Sequence, residues 1–178
     1  MPPIESARFL AGIGRPLIGI KQAVPIANPA AGADWQTKVP GGEQWHILVG
    51  HYLLTTSAAV ANRVINLQIL IDGLLIWNVV DGTAVAASQT RTHNLLRSYA
   101  PSNTAASVTI SNLPIPDVWL PPGATIGTIT SAIDVADQYS QINLYVERFY
   151  LTDQELNIFA EDREAMIRAY VDQAGKGH

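Results

Sequence analysis

No cysteine occurs among the 178 residues. That excludes disulfides, thiolate metal ligands and cysteine nucleophiles, and leaves the redox compartment open. Charge is scarce as well: Asp, Glu, Lys and Arg make up 15% of the chain, against about 25% in ordinary soluble domains. No apolar run is long enough to cross a bilayer, although hydrophobic residues reach 48%. The apolar excess is therefore expected to face a core, another subunit or a larger assembly. The N-terminus lacks the order of a secretory signal, a basic start followed by an apolar stretch, so synthesis in the cytoplasm is expected.

The net charge of −4 is localised. Between Thr152 and Gln173, Asp153, Glu155, Glu161, Asp162, Glu164 and Asp172 stand against Arg163 and Arg168; elsewhere nine acidic and nine basic residues balance. With no basic stripe, the body has no electrostatic footprint for nucleic acid.

Catalytic patterns are missing too. His46 and His51 lie five apart, which in a regular strand points them to opposite faces. His93 stands alone beside Arg91, and His178 is terminal. Without a His-x-His pair or a helical His-Glu motif, no metal or other cofactor is expected. The expectation is one core histidine and three exposed ones. Asp134 and Asp137 bracket a turn; a carboxylate pair there is expected to bond its own backbone rather than to act as a glycosidase dyad or calcium site. Gly12 and Gly14 lack the strand and the lysine-serine pair of a phosphate loop. Trp45 and Trp77 read as core, whereas Trp35 and Trp119 lie in breaker-rich stretches where exposure is open. The chain is not expected to be an enzyme.

What is present reads as a mostly β protein. Residues 1–42 carry Gly14, Pro16, Gly19, Pro25, Pro29, Gly32, Pro40, Gly41 and Gly42. Such breakers prevent a long helix or a central strand, yet Ile18, Ile20, Val24 and Ile26 are too apolar for a solvated linker. An extended N-terminal arm, lying on this subunit or a neighbour, is expected. Residues 43–151 then alternate. Trp45, Ile47, Val49 and Leu53 share a face, as do Ile65, Leu67, Ile69 and Ile71, and Ile142, Leu144 and Val146. Asp72-Gly73 reads as a hairpin turn into Leu74 to Val80, and Asp81-Gly82 as another turn. Further strands are expected over Gln89 to Tyr99, Ser107 to Asn112 and Ala124 to Ser131. Seven or more short strands predict an antiparallel β-sandwich of jelly-roll type.

Residues 152–173 predict a helix. Thr152-Asp153-Gln154-Glu155 fits a capping box, and Leu156, Phe159, Met166, Ile167 and Tyr170 form an apolar stripe. The stripe either packs on its own sheet or binds a partner, which makes these five residues the candidate partner-binding set. Residues 174–178 read as a flexible tail.

Val39-Pro40-Gly41-Gly42-Glu43-Gln44-Trp45-His46-Ile47, followed by Leu53-Leu54-Thr55-Thr56-Ser57-Ala58-Ala59-Val60-Ala61-Asn62-Arg63, resembles small virion proteins of tailed bacteriophages. Trp119-Leu120-Pro121-Pro122-Gly123, Asp137-Gln138-Tyr139-Ser140 and Val146-Glu147-Arg148 extend the similarity, which covers about Val39 to Tyr150. The resemblance implies a β-sandwich or jelly-roll part of a phage particle. Capsid decoration (cement) proteins, which commonly trimerise over junctions between major capsid proteins, are among them, as are head-fibre bases and tail components. A homo-oligomer, with a trimer preferred, is the expectation, located in the virion and bound to the major capsid protein or another virion protein. The competing class is a carbohydrate-binding receptor-recognition module, for which exposed coplanar aromatics would speak.

Overall fold

The computed structural model describes residues 19–97 and 110–151, with Asn157, Glu161 and Glu164 beyond them. Two sheets face each other. The larger runs β1 (Ile20–Pro25), β10 (Gln138–Tyr150), β3 (Glu43–Thr55), β6 (Thr90–Arg97) and β7 (Ile110–Ile115), with β8 (Trp119–Leu120) also on β3. The smaller runs β2 (Gln36–Lys38), β9 (Thr125–Ser131), β4 (Val64–Ile71) and β5 (Leu74–Val80). The described part is thus mostly β and sandwich-like. One pair departs from the antiparallel expectation: β6 and β7 are parallel. Parallel neighbours need a crossover of a dozen or more residues, and residues 98–109 join them.

The core between the sheets includes Trp45, Ile47, Ile65, Leu67, Ile69, Leu144 and Val146, as their alternation predicts. Asp72 and Gly73 both adopt positive φ, at 54° and 79°; this suits the tight right-handed twist of a two-residue hairpin.

Three strands change face midway. On β3, Ile47 opposes Val146 but Val49 opposes Tyr145, so Leu48 is an extra residue. An inserted residue inverts the alternation beyond it. Val49 is consequently 37% exposed, Leu53 points outward, and Tyr52 and Leu54 enter the core instead. Ile71 is only partly buried. The same shift puts His46 and His51 on one face rather than two. On β10 the extra residue is Gln141, at φ 50°. On β5 it is Ile76, which separates Leu75 from Trp77.

From Gly19 onward, the stretch expected to be an arm belongs to the sandwich. β1, which ends at Pro25, and β2 are both edge strands, but Trp35 and Val39 between and beside them are core residues at 1% exposure. Residues 1–18, the helix expected over 152–173 and the tail 174–178 otherwise lie outside the described residues. Asn157, Glu161 and Glu164 are helical and exposed.

Candidate interaction surface

Register, rather than sequence proximity, assembles the outer face of the larger sheet. One row across it reads Ala23, Tyr145, Val49, Leu96 and Pro114. It is apolar over five strands, with Val49 37% and Tyr145 42% exposed. Next to it runs a row of Pro25, Asn143, His51, Asn94 and Asn112 that holds no Asp, Glu, Lys or Arg, and in it the Asn94 amide donates to Asn112 at 3.1 Å. A depression of about 260 Å³ opens between the two rows, bordered by Ala23, Val49, Leu96 and Tyr145 and by His51 and Asn94.

On the other side lies a charged row of Lys21, Glu147, His46 and Trp119. His46 Nε2 is 2.6 Å from Asp117 Oδ1, and the His46 and Trp119 rings are 4.2 Å apart. Phe149 packs edge-on against Trp119 at 4.9 Å. Arg97 also pairs with Asp117. Hydrogen bonds first from His46, then from Arg97, hold the Asp117 carboxyl below its usual range. These contacts occupy the side chains with one another and fix Trp119 as a rim to the apolar row.

A second apolar surface follows the β5 edge, where Leu74, Leu75, Ile76 and Val80 are each about half exposed. No Lys, Arg or Pro guards this strand, although such residues commonly blunt sheet edges.

Other polar clusters are buried or partly buried. His93 Nε2 is 3.1 Å from Asp81 Oδ2, with Arg91 and Ser111 also around that carboxylate and the Tyr52 ring stacked on the imidazole. His93 is fully buried. Asp134 accepts from Ala136 N at 3.0 Å, the expected turn chemistry, while Asp137 goes further and pairs with Arg63. Asp34 accepts from Thr128 and Thr130, and Thr130 meets the Tyr139 hydroxyl. Among the described residues no group of three or more His, Cys, Asp or Glu is arranged to hold a metal ion.

The histidines differ from expectation: His46 and His93 are both buried, and His51 is intermediate. Of the tryptophans, Trp35 and Trp45 are core, Trp77 is half-buried and Trp119 is 36% exposed. The candidate set Leu156, Phe159, Met166, Ile167 and Tyr170 lies outside the described residues. The apolar row was not visible in the sequence, because its five members come from five strands.

These buried groups give a pH signature. Burial depresses the His93 pKa below 6.5, partly offset by Asp81. The folded chain then keeps His93 neutral while the unfolded chain takes up a proton, so stability falls once pH drops below 6.5. For Asp81 and Asp137, burial works upward, but hydrogen bonds win and hold both below 3.8. Their stabilisation is present above 3.8 and lost as pH falls through the lower folded values. Thermal unfolding midpoints should therefore decline in two stages, below about 6.5 and again below about 4. A midpoint unchanged between about pH 7 and pH 5 would contradict the His93 contribution.

Compared with known proteins, the chain matches no family model and no curated protein sequence.

Proposed function

We propose that the chain is a structural virion protein, most specifically a capsid decoration protein that binds and stabilises a phage head as a homo-oligomer, preferably a trimer. The observation that carries this reading is the apolar row on the outer face of the larger sheet. An exposed contiguous apolar patch marks an interaction surface, and this one has charged groups to one side and a mainly amide row to the other, the core-and-rim plan of protein interfaces.

Strand order supports the finer fold reading. The order β1-β10-β3-β6-β7 in one sheet and β2-β9-β4-β5 in the other is compatible with a double-sheet jelly roll, an architecture used by viral capsid and lectin domains. The motifs behind the resemblance also meet one another. Trp45 and His46 pair with Leu120 and Trp119, Arg63 bonds Asp137, and Glu43 accepts from both Trp45 and Arg148. They support a shared scaffold, and a scaffold alone does not assign function. A head-fibre or tail component uses the same surface logic. The carbohydrate-binding alternative asks for coplanar exposed aromatics, whereas Trp119 already packs between His46 and Phe149.

The reading places the protein in the virion after synthesis in the host cytoplasm, with the major capsid protein or another virion protein as partner. Its test is the protein content of purified, salt-washed particles. The chain should be present in a fixed ratio to the major capsid protein, and its absence from washed particles would sink the reading.

A further inference from the structure

We propose that β5 of one copy pairs antiparallel with β5 of a second copy, joining two four-stranded sheets into one of eight strands. The contact lies on the edge of the smaller sheet, away from the apolar row, and stands independently of the virion reading above.

The edges of the described sandwich are not alike. β1 carries an exposed Lys21 and ends at Pro25. β7 contains Pro114, and β2 has three residues, one of them an exposed Lys38. Prolines, lysines and short length are the usual means of preventing edge-to-edge pairing. β5 spans seven residues, Leu-Leu-Ile-Trp-Asn-Val-Val, with neither a charge nor a proline. Among the described residues no strand lies beyond it, so the backbone groups that point away from β4 have no ladder partner there. Its one irregularity, the inserted Ile76, leaves residues 77–80 as a regular run along β4.

An open edge of this kind binds a strand, and the chain's own strands select which. A neighbour's β1, β2 or β7 would bring lysine, proline or too few residues; its β5 brings none of these. Self-pairing also opposes no like charges, since the strand has none. The side chains agree. Trp77 and Val79 pack against the core yet are only partly buried, so the interior is open at this edge. A second β5 covers them and continues the interior across the contact.

β5 cannot pair with itself within one chain, so the contact requires two copies. Antiparallel strands are related by a two-fold axis perpendicular to their sheet, and such a contact closes at two chains. Where copies also meet through the apolar row, it joins two such oligomers. The axis sets both larger sheets on one side of the joined sheet, so both apolar rows face the same way.

The chain has no native cysteine, so one introduced thiol reports on the contact. Asn78 is exposed; with the axis anywhere between Trp77 and Val79, the two copies of that position come within about 8 Å. Asn78→Cys in the full chain, treated with a short bismaleimide at micromolar concentration, should give a covalent product of two chains. Val60→Cys, at a position 98% exposed on the β3–β4 connection, should give only collisional background. Adding Ile76→Lys, at a side chain already 56% exposed, should reduce the Asn78→Cys product to that background without loss of the folded spectrum. No product from Asn78→Cys, a product no stronger than that from Val60→Cys, or one that survives Ile76→Lys overturns the inference. So does an introduced thiol at 78 that reacts with no maleimide, because the edge is then covered within its own chain. The assembly reading is judged separately, by native mass.

Discussion

Replacing Asp137 by alanine is expected to cost about 3–5 kcal/mol, the range for breaking a buried ion pair from one side. Asp137 accepts from Arg63 Nε at 2.9 Å and Nη2 at 3.0 Å, from Ser57 N at 2.8 Å and from Asp134 N at 2.8 Å. Arg63 Nη1 in turn donates to the carbonyls of Ala59 and Ala61, both at 2.8 Å. Both side chains are fully buried. One carboxylate thus ties the β3–β4 connection to the turn before β10. Removing it strands a guanidinium and two backbone N–H groups away from water. Urea unfolding should show a lower midpoint with an unchanged slope. The apolar pair Arg63→Met, Asp137→Leu should recover the part of the loss due to the stranded guanidinium, because it leaves no buried charge behind, while Ser57 N and Asp134 N stay unpaired. A cost for Asp137→Ala below about 1 kcal/mol would mean the pair is solvated.

Leu67→Ala should cost about 2–5 kcal/mol. Leu67 is fully buried in β4, between Val79 of β5 and Thr128 of β9. Neighbours on both sides limit collapse into the space left behind, so the cavity term should be felt in full. A loss within about half a kcal/mol, the range of ordinary surface changes, would contradict this register.

Regular stretches of the fold are legible in the sequence. Ile65, Leu67 and Ile69 alternate without interruption, and Asp72-Gly73 supplies the backbone freedom that its hairpin uses. Insertions are not legible. Around Leu48 both Val49 and Tyr52 are apolar, so alternation reads equally well in either phase, and only pairing with β10 decides. The N-terminal breakers correctly exclude central strands, yet they conceal β1 and β2, whose hydrogen bonds come from β10 and β9 far along the chain. His93 gave no sign of Asp81 and Tyr52 as its partners, because that cluster is brought together by β3, β6 and the turn after β5. The candidate surface needed still more, since it combines four register assignments with one inserted residue.

The central claim is that the exposed apolar row marks a subunit of an assembly. Sedimentation equilibrium of the full-length chain across micromolar concentrations tests it most directly. The account predicts a discrete multiple of 19.2 kDa, with the trimer preferred; a single species of one chain's mass throughout that range would contradict it.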